Sequence, residues 1–158
     1  MSEQTQKTSG LEASARKVAE GLEHQRVLLE ELHQLAVSQK PLIAGAEHDS
    51  LLELVRRRQT LVEGLDQTRA GMSNDMERVR GGIDSLCTEI RGGLRNLVSQ
   101  VQELVKKIAA IDTEDARRLS EHQLKCRSQL EDMTAAATAR NGYRSVKPTN
   151  ARFADAKG

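Results

Sequence analysis

The sequence predicts an all-α protein: an antiparallel helical bundle or coiled coil of about three long helices, followed by a disordered C-terminal tail. Aromatic residues are nearly absent, since Tyr143 and Phe153 are the only two, and β-sheets favour aromatic and β-branched side chains. Residues 42–147 contain no proline, as long helices require. Apolar residues recur at alternating steps of four and three, which is the spacing of helices that pack side by side.

The first helix is predicted from Gly10 to Ala44. Ser9 and Glu12 have the spacing of a capping box, in which two side chains accept hydrogen bonds from free backbone N–H groups at a helix start. Pro41 weakens or kinks the far end, and Gly45 is a natural left-handed cap. The apolar seam of this helix consists of Leu11, Ala15, Val18, Leu22, Gln25, Leu29, Leu32, Ala36, Gln39 and Ile43.

The second helix is predicted to start at Ser50, which forms another capping box with Glu53. The connection from residue 45 to residue 49 is short, and short connections make antiparallel neighbours. The seam then continues through Leu51, Val55, Arg58, Val62, Leu65, Arg69, Met72, Met76, Val79, Ile83, Leu86 and Ile90. After one extra step of four, a stutter, it resumes with Leu94, Leu97, Val101, Leu104, Ile108 and Ile111, and later with Leu119, Gln123, Cys126, Leu130, Met133 and Ala137.

A second break in the chain is expected, because an unbroken helix from residue 50 to residue 139 would be about 135 Å long. The first helix could not cover such a length. We prefer a break near Gly71, which can cap one helix while Asn74 starts the next. The alternative is a break near Gly81. The last helix is predicted to end at Asn141-Gly142.

Residues 79–98, VRGGIDSLCTEIRGGLRNLV, contain the triplet RGG twice. RNA-binding RGG segments are poor in aliphatic residues, so that their backbone stays solvated. These glycine pairs instead lie inside the apolar series, so we expect no nucleic-acid binding from them. Each glycine costs a helix about 0.8–1 kcal/mol relative to alanine, which predicts a hinge, a close helix approach or a turn.

The charge is spread unevenly over a chain whose net charge is +1. We divide the chain into a flexible amino terminus (1–9), a helical bundle domain (10–139) and a flexible basic tail (140–158). A nearly neutral chain has no electrostatic reason to bind nucleic acid or an anionic membrane. No apolar run approaches the about 20 residues that span a bilayer, and no signal peptide is recognisable. We therefore expect a cytoplasmic monomer or small oligomer without stable membrane insertion.

No residue pattern points to catalysis or to a cofactor. A Gly-rich phosphate loop, HExxH, GxSxG and CxxC are all missing from the sequence. His122 and Cys126 are one helical turn apart, but half a zinc site without a second ligand pair predicts no metal. Cys87 and Cys126 are interpreted as buried, reduced thiols. We expect a protein that is not an enzyme.

Surplus leucines are the strongest functional signal. Leu28, Leu35 and Leu42 recur every seven residues beside the first seam, and Leu54 and Leu61 do the same on the second helix. A contact between two helices needs only the a and d positions of each heptad. These leucines therefore either pack against the third helix or form a groove for an amphipathic helix of another protein.

Three groups of residues form a pattern that extends over nearly the whole chain. They are Leu32-x-x-Leu35-x-x-x-Gln39-x-x-Leu42-Ile43-x-Gly45, then Leu51-Leu52-x-Leu54 with Arg58-Gln59-x-Leu61-Val62-x-x-Leu65, and finally Ile111-Asp112-x-x-Asp115 with Leu119, Tyr143 and Phe153-Ala154-Asp155-Ala156-Lys157-Gly158. The pattern resembles the FlgN family of flagellar type III export chaperones.

The resemblance implies a helical bundle that binds the helical C-terminal region of flagellar hook–filament junction proteins in the cytoplasm. It prevents their premature assembly and delivers them to the export gate. The client-binding residues would then be the surplus leucines named above. In this family a tyrosine near the C-terminus contributes to docking on the export-gate protein, and Tyr143 is the only tyrosine. Phe153, the other aromatic of the tail, is predicted to join it, because aromatic side chains anchor interfaces.

Two other functions compete with this one. The first is a structural coiled-coil or scaffold protein that assembles with itself or with a membrane machine. The second is a nucleic-acid binder that acts through the RGG triplets and the basic tail.

Overall fold

The computed structural model describes residues 2–145. Helix α1 spans Ser2–Ala44, α2 spans His48–Gly82 and α3 spans Thr88–Ser145, with one turn of 3-10 helix at Ile83–Ser85. No β-strand occurs within these residues. The predicted all-α fold with three long helices is confirmed. The chain divides into two units, of which the first ends at Arg117.

Helix α1 begins eight residues before the predicted start, at Ser2 rather than Gly10. Residues 2–9 contain neither glycine nor proline, and their Glu, Gln and Lys side chains favour helix. Nothing in this segment prevents the helix from starting before Ser9. The predicted capping box of Ser9 and Glu12 therefore lies inside α1 instead of at its start. Pro41 also lies within α1 and does not end it.

The helix ends in a Schellman turn, a pair of backbone hydrogen bonds that closes the last turn of a helix. Glu47 N donates to Leu42 O at 3.1 Å, and Ala46 N donates to Ile43 O at 3.3 Å. Ala46 has a φ of 53°, whereas no glycine of the described chain has a positive φ. The predicted left-handed cap at Gly45 is therefore wrong by one residue.

Helices α1 and α2 are antiparallel, as predicted. Ser14 Oγ donates to Asp75 Oδ1 at 2.8 Å near the end of α2. Arg57, near the start of α2, lies 3.6 Å from Glu31. Residue numbers thus rise along α1 as they fall along α2. Helix α2 starts two residues before Ser50, which lies inside its first turn instead of capping it.

The second break lies beyond the preferred position. Helix α2 runs unbroken through Gly71 to Gly82, so the predicted break near Gly71 is wrong and the alternative near Gly81 is close to the observed one. A Cβ atom at Gly82 would lie 2.8 Å from Leu11 Cδ2, so glycine allows α1 to pack closely here. The buried Leu86 follows with an extended backbone and leads the chain into α3.

Residues 88–117 of α3 pack against both other helices. Gln39 Nε2 donates to Asp115 Oδ2 at 3.3 Å, and Leu94 lies in one core cluster with Val18. Helix α3 therefore runs parallel to α1 and antiparallel to α2. The backbones of α1 and α2 approach within 8 Å along the pair, whereas the backbone of α3 comes that close to them at only a few positions.

The hydrophobic core consists of two clusters. The first contains Ala15, Val18, Leu22, Met72, Val79, Leu86 and Leu94. The second contains Leu29, Leu32, Leu35, Leu54, Leu61 and Ile108. The predicted seam of α1 is confirmed, because most of its members are buried. Early in α2 the seam is wrong by one position, since Val55 and Val62 are 50% and 39% exposed while the neighbouring leucines are buried. Burying leucine removes more apolar surface from water than burying valine.

Helix α3 continues past the predicted end at Asn141-Gly142 to Ser145. The stretch from Ala135 to Ala139 is rich in alanine, the strongest helix former, and no proline follows before Pro148. Part of the predicted tail is therefore helical. Its remainder, including Phe153, lies outside the described residues.

Candidate functional site

The surface best suited to bind another helix lies on residues 119–137 of α3. Every residue from 119 to 144 is exposed. Leu119 is 38% exposed, Leu130 63% and Met133 69%. Large apolar side chains exposed together on one helical face mark an interaction surface. We call this face the exposed seam and define it by Leu119, Gln123, Cys126, Leu130, Met133 and Ala137.

Local interactions support the helix that carries the exposed seam. Arg127 Nε donates to Glu131 Oε1 at 3.1 Å, a spacing of four residues that stabilises helices. Thr134 Oγ1 donates to the backbone carbonyl of Leu130 at 2.8 Å, which satisfies the hydroxyl within the same helix without strengthening it. The alanines that follow have the highest intrinsic helix propensity. Local interactions and helix propensity therefore favour a helix in this segment, although its apolar side chains are not buried.

The predicted client-binding leucines lie together, but they belong to the core. Leu35, Leu54 and Leu61 are 9%, 7% and 9% exposed, and Leu28 and Leu42 pack against the same cluster. Residues of α3, including Ile108 and Leu104, complete this cluster. The third helix thus covers the leucine stripes, which is one of the two arrangements that the spacing allowed.

A hydrogen-bonded polar cluster links the three helices near the end of the first unit. Arg58 Nη2 donates to both carboxylate oxygens of Asp112, at 2.8 and 2.7 Å, and Arg58 Nη1 donates to Gln39 Oε1 at 2.7 Å. Gln39 in turn donates to Asp115, which is only 2% exposed. A hydrogen bond between charged groups is stronger than one between neutral groups. Because buried polar groups need partners, this cluster fixes the register of α3 on the other helices.

The same four residues belong to the three-part residue pattern described in the sequence. Gln39 and Arg58 each occupy a seam position that an apolar residue would normally fill. A polar residue at an apolar position of the seam is the feature of the sequence that indicates a buried polar contact. It does not show which helices the two side chains link. The structure gives these pattern residues a structural role.

Two open cavities lie between α3 and the other helices of the first unit. One has a volume of about 260 Å³ and is lined by apolar residues that include Val18, Val79 and Leu94. The other, of about 550 Å³, has a more polar rim with Asp66 and Arg69. The lining of the first suits apolar contacts, whereas the second is lined by both polar and apolar side chains.

Tyr143 lies near the end of α3 and is 85% exposed. It is available to another protein, as its predicted docking role requires. Phe153 lies outside the described residues, so the structure brings no second aromatic residue beside Tyr143 within residues 2–145.

Both cysteines are exposed, so their interpretation as buried thiols is wrong. Cys87 lies in the connection before α3, and Cys126 belongs to the exposed seam. Cys126 Sγ is 3.5 Å from His122 Nδ1. No group of three or more His, Cys, Asp or Glu side chains that could hold a metal ion occurs in the described part of the chain.

One surface ion cluster on α1 shifts pKa values. Arg26 donates hydrogen bonds to Glu23 at 3.0 and 2.6 Å and also contacts Glu30. The hydrogen bond from Arg26 lowers the pKa of Glu23, and the same bond raises the pKa of Arg26. Both groups are solvated at the surface, and the arrangement is that of a helix-stabilising pair.

Among residues 2–145, no helix combines the length and apolar character needed to cross a bilayer. The chain matches no family model, no curated protein and no solved structure. A functional proposal therefore rests on the exposed seam and on the pattern in the sequence.

Proposed function

We propose that this protein is a helix-binding export chaperone of the kind that its resemblance to FlgN implies. It would bind the helical C-terminal regions of flagellar hook–filament junction proteins in the cytoplasm. It would prevent their premature assembly and deliver them to the export gate. The proposed action is binding alone, without catalysis, cofactor or metal. The observation that supports it is the exposed seam.

The exposed seam has the dimensions of a helix-binding site. Its 19 residues extend about 28 Å along the helix. An amphipathic helix binds such a face through side chains at steps of three and four. Full burial of a leucine or methionine contributes about 1.5–3 kcal/mol. Leu130 and Met133, the most exposed of its large apolar members, would contribute most of the apolar gain.

We propose α3, rather than the leucine stripes, as the client contact. The surplus leucines stabilise the bundle because they belong to the second core cluster or pack against it; they are Leu28, Leu35, Leu42, Leu54 and Leu61. A client helix could reach them only after α3 had left that cluster. Their role in client binding stays a prediction, and the exposed seam requires no such rearrangement.

Docking on the export-gate protein is proposed for Tyr143 together with Phe153. Tyr143 follows the last member of the exposed seam by six residues and does not belong to it. Client and export gate can then bind different side chains of the same helix. A Tyr143→Ala variant should keep its client and lose affinity for the gate protein, as measured by pull-down with each partner.

Co-expression with junction proteins tests the proposal. The wild-type chain should co-elute with a junction protein in size exclusion, and the Leu130→Asp/Met133→Asp variant should not. Leu124→Asp is the matched control, because Leu124 is 64% exposed but lies outside the seam. Circular dichroism checks that each variant is still helical. Failure of every junction protein to form a stable complex with the wild type would overturn the proposal.

The competing scaffold function has its own signature. A scaffold would use the exposed seam to build extended assemblies of many copies. Light scattering of the purified chain separates the two functions: a monomer or small oligomer agrees with a chaperone, and long assemblies agree with a scaffold.

A further inference from the structure

The exposed seam is complementary to itself in size when two copies run antiparallel. Leu119 then faces Ala137 of the second copy, Gln123 faces Met133, and Cys126 faces Leu130. Every layer joins a large apolar side chain to a smaller or polar one, as well-packed helices require. In a parallel pair, by contrast, Leu130 would meet Leu130 and Ala137 would meet Ala137. Layers of two large side chains would then lie next to layers of two small ones.

The charges along this part of α3 favour the same orientation. Residues 118–127 contain three basic residues and one acidic residue, a net charge of +2. Residues 128–139 contain Glu131 and Asp132 and no basic residue, a net charge of −2. Antiparallel pairing places each basic segment beside the acidic segment of the other copy. Parallel pairing places like charge beside like charge, which disfavours association.

We propose that the exposed seam binds the exposed seam of a second copy of this chain as an antiparallel coiled coil. The contact contains fewer than three heptads on each chain, so the dimer should be weak and should dissociate on dilution. This inference goes beyond the proposed function and does not rest on it. Self-pairing covers the apolar side chains when no other helix is bound, and a helix that binds the same face must displace the second copy.

Sedimentation velocity of the full chain at increasing concentration tests the contact. The wild type should change from monomer to dimer. Leu130→Asp should remain monomeric at concentrations where the wild type is mostly dimeric. Leu124→Asp should dimerise like the wild type, because Leu124 has the same exposure as Leu130 but lies about 120° away around the helix. Circular dichroism of each variant checks that the helices are intact.

Disulfide cross-linking tests the orientation. Two chains are prepared in a Cys87→Ser/Cys126→Ser background, one with Leu119→Cys and one with Ala137→Cys. A disulfide needs Cα atoms about 4.4–6.8 Å apart, and antiparallel pairing brings position 119 of one chain beside position 137 of the other. After mild oxidation of the mixture, cross-links between the two different chains should outnumber those between identical chains by about tenfold, the equivalent of about 1.4 kcal/mol.

A chain that is monomeric at every concentration would overturn the proposal. A dimer that survives Leu130→Asp, or cross-links mainly between identical chains, would also overturn it. The proposed function fails separately. A dimer of the predicted geometry that binds no junction protein contradicts the chaperone alone, whereas a monomer that binds one contradicts the dimer alone.

Discussion

The two parts of α3 share one apolar period and differ in what covers it. In residues 88–117 the period is buried, with Leu94 at 6% and Ile108 at 7% exposure. In residues 119–137 the same spacing is exposed, with Leu130 at 63%. Periodicity therefore identifies a helix and its apolar face, whereas burial depends on the length of the partner helices. The first part stabilises the fold, and the second leaves its apolar side chains exposed.

The polar cluster marks the end of the covered part. Asp115, the last buried residue of α3 up to residue 144, accepts a hydrogen bond from Gln39. Gln39 lies five residues before the end of α1 at Ala44. The buried period of α3 thus ends close to where α1 ends, and a directional contact holds it in that register.

The largest expected difference between the two parts is in the loss of stability when a leucine is replaced by alanine in each. Leu94→Ala removes buried methyl groups and should lower the free energy of unfolding by about 2–5 kcal/mol. Leu130→Ala should change it by less than about 0.5 kcal/mol. Urea denaturation in dilute solution, where copies do not pair, measures both. Equal losses would mean that residues 119–137 also belong to a core.

Arginine substitutions extend the comparison to polar contacts. Arg58→Ala leaves Gln39 and Asp112 without their donor, and it should destabilise the first unit by about 2 kcal/mol because unpaired polar groups are costly. Arg127→Ala removes an exposed ion pair with Glu131 and should cost less than about 0.5 kcal/mol. Thermal unfolding of the two variants, each compared with the wild type, measures both losses of stability. If Arg58→Ala unfolds like the wild type, the polar cluster does not hold α3.

Glycine substitutions should stabilise one part only. A Cβ atom at Gly92 would meet nothing within 4 Å, so Gly92→Ala should raise stability by about 0.8–1 kcal/mol through helix propensity. Gly142→Ala, also in open space, should leave the unfolding of the first unit unchanged. A loss of stability at Gly92 would show instead that the glycine pair is needed for a bend.

The smallest expected effect lies in the turn between α1 and α2. Ala46 has a left-handed backbone that glycine adopts without strain. Ala46→Gly should therefore stabilise the first unit by about 0.5 kcal/mol. Gly45→Ala is the control and should bring no gain, because a Cβ atom at Gly45 would lie 3.3 Å from the carbonyl oxygen of Pro41. The midpoint of urea unfolding measures both, and a gain only at Gly45 would contradict the observed turn.

The sequence predicted those features that depend on local pattern. The all-α class, the antiparallel pairing of α1 and α2, and the buried seam of α1 all follow from spacing and from short connections. The break near Gly71 was wrong because a glycine in open space costs a helix only about 1 kcal/mol. The observed break follows Gly82, which packs against Leu11, and this contact between distant residues is not contained in the spacing alone.

The candidate site was less predictable than the fold. The surplus leucines were visible in the sequence, but whether α3 or another protein covers them depends on tertiary packing. The spacing of the exposed seam predicts a helix, but it does not show that no other helix of the chain covers this face. Gln39 and Arg58 at apolar positions indicate a polar contact in the sequence, but they do not identify its acidic members. Asp115 and Asp112 lie more than 50 residues away from Gln39 and Arg58, respectively, in the sequence.

Amide hydrogen exchange, with and without a junction protein, tests the central claim most directly. The free chain, at a concentration where it is monomeric, should show slow exchange in the buried part of α3 and fast exchange in residues 119–137. Addition of the junction protein's C-terminal helical region should slow exchange in residues 119–137 alone. Unchanged exchange there, with new protection around Leu35 and Leu54 instead, would contradict the exposed seam as the client-binding surface.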